Sequence, residues 1–334
     1  MQQRQLGAAG PRVSAFGLGC MGMSGMYGPA DRAESIATIQ AALEAGFTLL
    51  DTGDFYGMGH NELLIGEALR GSQRKGAVVS VKFGALRDPA GGWAGVDARP
   101  AAVKNFLAYS LQRLGLEHID IYRPARLDPK VPIEETVGAM VELVRAGYVR
   151  HIGLSEVGSE TIRRAAAVHP ISDLQIEYSL VSRGIEEGIL ATCRELGIGI
   201  SAYGVLSRGL ISGHWRKDGS GPGDVRGYFP RFQAENVERN LALVEALRKI
   251  ADAKGVTIAQ LAIAWVAAQG EDIVPLIGAR RRDRLTEALG ALNLALTPKD
   301  LAEIGKAVPK GAAAGERYAP AQMAHLDSEG ARPG

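Results

Sequence analysis

The 334 residues carry 38 Lys and Arg against 37 Asp and Glu, a formal charge of +1, so no net field draws the chain to nucleic acid or an acidic membrane and any anion site must be local. A composition with 46% hydrophobic and 22% charged residues and a mean hydropathy of −0.01 argues for a globular chain with a substantial core, against disorder and against a membrane protein. No apolar stretch runs long enough to cross a bilayer, and the opening MQQRQLGAAGPRVSAFGLG lacks a basic start followed by an apolar block, so the chain reads as cytoplasmic. Cys20 and Cys193 are too few for a disulfide framework, and neither they nor the dispersed histidines show metal-ligand spacing, so no metal is expected.

Before the first strand, MQQRQLG and PRVSAF flank Gly7 to Gly10, which predicts a hairpin under the fold. Short apolar runs ending in polar or glycine residues then recur at 14–19, 47–51, 78–82, 119–123, 150–154, 173–177, 199–203 and 273–277. Helical periodicity lies between them, as in Ser35, Ile36, Ile39 and Leu43 after Asp31, Leu63, Leu64 and Ala68 after Asn61, and Val103, Phe106, Leu107, Leu111 and Leu114 after Pro100. Strands that are apolar throughout suit a parallel sheet buried on both faces, and closing it removes its edges; the fold class predicted is an α/β protein with a (β/α)8 barrel. About 70 residues separate the seventh and eighth runs, with the Gly/Pro-rich loop HWRKDGSGPGDVRGYFPRF and helices near 234–253 and 257–269. We read 1–310 as a single domain and 311–334 as a tail lying over the barrel mouth or loose.

Side chains at the C-terminal ends of barrel strands converge on one cavity. Asp51 closes the second strand, Lys82 the third, and Tyr56 follows in LDTGDFYGMGHNE. A lysine near a phenol lowers the phenol's pKa, and an aspartate keeps that lysine charged despite burial, which makes a general acid for a carbonyl. The plainer alternative is an ion pair that fills the barrel mouth. After the eighth run, IGARRRDRL clusters Arg280, Arg281, Arg282 and Arg284 at a helix start; guanidinium forks there suit a phosphate, whereas the plainer alternative is a solvated helix face.

LDTGDFYG and SVKFG, followed in order by GLSEVG, QIEY, AYGVLSRG and IGARRRDRL, resemble the aldo-keto reductase superfamily over residues from about 3 to 310, and GCMGMS is similar to its bacterial and plant branch. The resemblance implies reduction of an aldehyde or ketone by NADPH, or the reverse with NADP+, on a small-molecule carbonyl substrate. It makes Tyr56 the proton donor, Lys82 its modulator and Asp51 the partner of Lys82. It places the cofactor across the barrel mouth on Gly19, Met21, Ser155, Gln175, Tyr203, Gly204, Leu206, Arg208 and Gly278, with Ser155 and Gln175 on the carboxamide and Tyr203 stacked on the ring. Arg280 and Arg284 would hold the 2′-phosphate and adenosine, with Glu287 nearby. Without the resemblance, Ser155 reads as a helix cap and Tyr203 as core packing.

Two departures stand out. Ala288 replaces the family's usual Asn, and in DIYRPARLDP Ala125 stands where the fourth catalytic residue, usually His, is expected. Arg123, two residues earlier, would face the same side if strand alternation survives Pro124, and its guanidinium is the expected replacement near the oxyanion; the alternative is that it pairs with a carboxylate and faces away. The superfamily also includes potassium-channel β-subunits, so a cofactor-bound regulatory subunit is the rival function, and a barrel isomerase or lyase without nicotinamide is a third. Met23, Met26, Tyr27, Trp93 and Trp215 are candidate pocket walls, and His60 reads as a helix start. A near-zero net charge does not oppose homo-oligomerisation.

Overall fold

A computed structural model describes residues 1–216 and 224–330; parts of the Gly/Pro-rich loop (217–223) and of the tail (331–334) lie outside the described residues. Eight parallel strands follow one another around a barrel. They are β1 (Gly17–Gly19), β2 (Leu49–Gly53), β3 (Val78–Phe83), β4 (Ile119–Pro124), β5 in two pieces (Val149–Ile152 and Leu154–Ser155), β6 (Asp173–Glu177), β7 (Gly199–Tyr203) and β8 (Ile273–Gly278). The last returns to the first, with Leu276 opposite Gly17 and Gly278 opposite Gly19. The first piece of β5 pairs with β4 and the second with β6, so the sheet closes through Gly153, whose N–H donates to the Tyr122 carbonyl at 3.0 Å. The chain thus folds as the expected (β/α)8 barrel.

The first strand is shorter than its apolar run predicts, because Ser14 belongs to the hairpin beneath the barrel. That hairpin pairs Gln3–Gln5 with Arg12–Ser14. It closes the bottom by burying Leu6 and Val13 against Leu49, Ile121, Val274 and Leu276. Arg4 fastens it by donating to the carbonyls of Ala267 at 3.0 Å and Gly270 at 3.1 Å.

Around the barrel run α1 (Arg32–Glu44), α2 (His60–Ala68), α3 (Pro100–Leu114), α4 (Ile133–Arg145), α5 (Ser159–Val168) and α6 (Ile189–Glu195). They continue as α7 (Ala234–Ala253), α8 (Ile258–Ala267), α9 (Arg282–Leu289) and α10 (Pro298–Ala307). Local chemistry explains several starts: the Asp31 side chain accepts from the Glu34 N–H, proline opens α3, and Thr257 and Gln260 form a reciprocal cap on α8. Leu63 departs from its expected inward face and is exposed on α2. Among the described residues no single helix is long and apolar enough to cross a membrane.

Two segments shape the open end. The loop after β3 forms a second hairpin, Ala85–Arg87 against Trp93–Val96, rather than irregular chain. The tail folds back over the mouth, where Arg317 reaches the Glu156 carboxylate at 2.5 Å and the Gly158 N–H donates to Asp327 at 2.8 Å.

Gly153 has a packing role besides the closure. A Cβ there would stand 2.7 Å from Asp173 Oδ1 and 3.1 Å from Arg123 Nε, so only glycine lets this buried pair sit against the β5 backbone. Gly153→Ala is therefore expected to lower the unfolding free energy by about 1–3 kcal/mol in denaturant titration. An unchanged midpoint would show that the pair has room to move.

Candidate active site

Asp51, in the middle of β2, lies opposite Ser80 of β3, and Lys82 lies two residues further towards the mouth. Both charged side chains are almost fully buried, with Lys82 Nζ 2.6 Å from Asp51 Oδ2. The other Asp51 oxygen accepts from Gln175 Nε2 at 2.7 Å and Ser80 Oγ at 3.1 Å. Both oxygens of that carboxylate are thus engaged, by three donors in all, as burial of a charge requires.

Tyr56 sits on the loop after β2. Its N–H donates to Gly53 at 3.0 Å, which turns the chain back over the strand end. Asn61, at the start of α2, braces the same loop: it accepts from Thr52 Oγ1 at 2.6 Å and donates to the Cys20 carbonyl at 2.9 Å and Ser24 Oγ at 2.8 Å. The loops after β1 and β2 are therefore tied to each other through Asn61. His60 starts the helix as expected and reaches only Ser24 Oγ, at 3.0 Å.

The Lys82 ammonium lies 5.0 Å from the Tyr56 ring centre, so the three expected groups do meet. The expected depression of the phenol pKa is not found. Burial, and then the Asp51 carboxylate, hold Tyr56 well above the ordinary phenol range. Burial is the larger cause, and the Asp51 carboxylate that ties Lys82 adds its own negative charge to the rise. Burial in turn lowers the Lys82 pKa, with Arg123 adding to it and Asp51 opposing it.

Arg123 requires a correction. It is fully buried, lies opposite Lys82 in the β3–β4 register, and pairs with Asp173 of β6 at 3.0 Å. Ser201 Oγ and Ser172 Oγ donate to the same carboxylate at 2.5 and 3.0 Å. An inward-facing arginine finds its counter-ion across the barrel, so Arg123 does not fill the site beside Ala125. The cation there is Arg126, whose Nη1 donates to the Ala125 carbonyl at 2.6 Å and whose charge bears on the Tyr56 phenol. Arg123 does turn to the barrel interior, as strand alternation requires, but its charge is committed to Asp173.

On the opposite rim Ser155 lies beside Gln175 in register, and its Oγ is buried without a hydrogen-bond partner. Tyr203, at the end of β7, donates from its hydroxyl to Glu156 at 2.6 Å and lies 3.0 Å from the Tyr318 hydroxyl. Glu156 and Tyr318 escaped the sequence analysis. Glu156 gives a signal only in its backbone, with φ of 53° in the left-handed region, and burial beside Arg317 holds its carboxyl far below the usual range, burial alone acting in the other direction. Gly204 also has positive φ (67°) and passes so close to Glu177 that a Cβ would meet its Cγ at 3.0 Å.

Arg208 is held on Glu177 at 3.2 Å with the Phe229 and Tyr318 ring centres each 4.5 Å away. Leu206 is half-buried against the core beside it. Met21 is half-buried in the turn that follows β1, while Met23 is fully packed into the core. Gly19 and Gly278 face each other at the rim, and a Cβ on Gly278 would meet nothing.

The arginine cluster divides. Arg282 turns to Glu34 at 2.9 Å, whereas Arg280, Arg281 and Arg284 line a cavity of about 440 Å³ together with Arg216, Arg226, Ser212, His214 and Trp215. Arg280 donates to the carbonyls of Tyr27 and Gly28 at 2.9 and 3.1 Å, while burial and the charges of Arg226 and Arg281 lower its pKa. Glu287 accepts from Arg284 at 3.1 Å and contacts His214 at 2.7 Å. Ala288 is packed inward. Trp215 thus belongs to this arginine-lined cavity.

Asp54 is buried below Tyr56 with both carboxylate oxygens lacking side-chain partners, and burial, followed by the nearby Glu62, pushes its pKa up to about 7. Between about pH 4 and 7 the unfolded acid is ionised while the folded acid is not, so its contribution to stability is present in acid and lost as the pH rises through 7. Asp54→Asn should therefore gain stability relative to the parent between pH 5 and pH 8, by roughly 2 kcal/mol in pH-resolved denaturation. Parallel stability curves would contradict the shift.

Residues 15–309 match the aldo/keto reductase family. A probable aldo-keto reductase from Glycine max is 43% identical over 319 residues, covering 95% of this chain and 92% of that protein. A glycerol dehydrogenase from Gluconobacter oxydans superposes with a TM-score of 0.82 at 28% identity, over 99% of this chain and 98% of that one. The holo form of an aldo-keto reductase from Bacillus halodurans gives 0.78 at 27%, over 96% and 100%. With a family match over nearly the whole barrel and a relative at 43% identity, this chain belongs to the aldo-keto reductase family of oxidoreductases.

Proposed function

We propose that the protein reduces an aldehyde or ketone to an alcohol with NADPH, the Tyr56 hydroxyl protonating the carbonyl oxygen. The observation that carries this reading is the contact of a buried, protonated phenol with a Lys82–Asp51 pair at the mouth of the barrel. A phenol held in its neutral form keeps its proton until negative charge develops on the substrate oxygen, which is what a general acid requires.

The residues present fit a nicotinamide cofactor. Ser155 offers a buried hydroxyl with no partner, suited to the carboxamide, and Gln175 lies beside it. The half-exposed Tyr203 ring offers a face for the nicotinamide. In the 440 Å³ cavity, Arg280 stands among the like charges of Arg226 and Arg281, with Arg284 lining the same space, and a 2′-phosphate would relieve that crowding, which favours NADPH over NADH. When bound, the cofactor supplies the hydride; the chain positions the carbonyl, delivers the proton and excludes water.

Ala125 supports a second reading, a cofactor-bound regulatory subunit with weak turnover, because a methyl group donates nothing to the carbonyl oxygen. Turnover of 4-nitrobenzaldehyde separates the two, since the regulatory reading requires tight NADPH binding without oxidation across a panel of carbonyls.

Tyr56→Phe is expected to lower kcat by about 10²–10⁴ while leaving NADPH binding, read by tryptophan quenching, intact. Retained turnover in that variant would end the mechanism. Arg284→Ala should raise the Kd for NADPH about tenfold and leave that for NADH nearly unchanged; equal effects on both cofactors would remove the case for a phosphate in the arginine cavity.

A further inference from the structure

The mouth of the barrel carries more positive charge than its own carboxylates use. Glu156 is held by Arg317 at 2.5 Å, and Glu177 is shared by Arg208 at 3.2 Å, Arg317 at 3.4 Å and Arg231 at 3.6 Å. Those acids are already surrounded. Two further guanidinium groups reach the Tyr56 phenol electrostatically, Arg126 from the end of β4 and Arg87 from the hairpin after β3. Among the described residues neither has a carboxylate within 4.0 Å. Arg126 places one N–H on the Ala125 carbonyl, and Arg87 makes a single long contact of 3.5 Å to Gly91. None of their unpaired nitrogens is sealed from solvent.

A guanidinium has five N–H donors in a planar fork matched to an oxyanion, and leaving most of them unused at a half-buried site is costly unless water or a ligand takes them. The surroundings are aromatic. The Arg126 guanidinium lies 5.9 Å from the Tyr318 ring centre, and Arg87 lies 5.6 Å from that of Phe55 and 5.9 Å from that of Trp93. Flat apolar walls with cations at two edges do not suit a simple neutral aldehyde better than a charged one; they suit a carbonyl compound that carries its own anion.

We propose that the substrates are anionic carbonyl compounds, bearing a carboxylate or phosphate ester that Arg126 grips while the carbonyl lies at Tyr56, with Arg87 adding charge from the facing hairpin. This rests on the reductase reading above and names the substrate class for the same site. It also bears on the Ala125 position: the methyl group donates nothing there, and the neighbouring positive charge is that of Arg126, which spends one N–H on the Ala125 carbonyl. The substrate's anion, and not the reacting oxygen, is then the partner of that charge.

The experiment compares 4-carboxybenzaldehyde with its neutral methyl ester, and glyceraldehyde 3-phosphate with glyceraldehyde, using the full chain and NADPH. The expected result is a kcat/KM preference for at least one anion over its neutral counterpart of about ten- to a hundredfold, carried mainly by KM. Whether the carboxylate or the phosphate pair shows the preference identifies which anion the fork takes. Arg126→Met should bring that ratio close to one and Arg126→Lys should restore part of it, with thermal melting confirming that both variants fold. Turnover of all four compounds without a preference, or a preference untouched by Arg126→Met, overturns the proposal and leaves the reductase reading standing. Loss of NADPH oxidation with every compound would overturn both.

Discussion

The site depends on one interaction, the buried contact between Asp51 and Lys82. Two charges placed inside a barrel are tolerated only when each remaining donor and acceptor is used, and here Gln175 and Ser80 complete the carboxylate. That arrangement ties β2, β3 and β6 together at the level where the chain leaves the barrel. Tyr56 inherits its position from it, because the loop that carries the phenol leaves the end of β2, two residues after Asp51, and is clamped by Asn61. The consequence for chemistry runs against the simplest picture: a neutralised lysine does not acidify the resting phenol, so the proton is released only when the substrate oxygen becomes basic.

A second buried pair lies beside the first. Arg123 and Asp173 span β4 and β6, adjoining Lys82 through the strand register, so the barrel interior carries positive and negative charges side by side across β2, β3, β4 and β6. Gly153 is the backbone feature that admits the pair, at the point where β5 passes from one neighbour to the other. Burial is the main cause of the lowered Lys82 pKa, with Asp51 opposing it and the Arg123 charge adding a smaller push in the same direction as burial.

Much of this was legible in the chain. Apolar runs without alternation located all eight strands, because strands covered on both faces show no polar side, and 173–177 and 199–203 coincide with β6 and β7. Asp51, Lys82 and Tyr56 were legible because strand ends in such a barrel converge. What escaped were contacts between segments far apart in sequence. Nothing near Arg317 or Tyr318 indicates that the tail returns to Tyr203 and Glu156, and nothing in DIYRPARLDP tells which arginine faces the barrel and which faces the mouth. Arg123 turns inward as alternation predicts, but the carboxylate that takes its charge, Asp173, lies on a distant strand, while Arg126 joins the mouth.

The tail changes the character of the mouth. Arg317 bonds Glu156 and Glu177, Ser328 Oγ donates to Glu156 at 2.6 Å, and Gly158 is tied to Asp327, so the segment is fastened at both ends across the loop after β5. Between these ties Tyr318 is presented to Tyr203, Arg126 and Arg208. Part of the site's wall is therefore supplied by residues outside the barrel strands and held by ion pairs. An anion gripped by Arg126 would lie against this wall, because the Tyr318 ring centre stands 5.9 Å from that guanidinium.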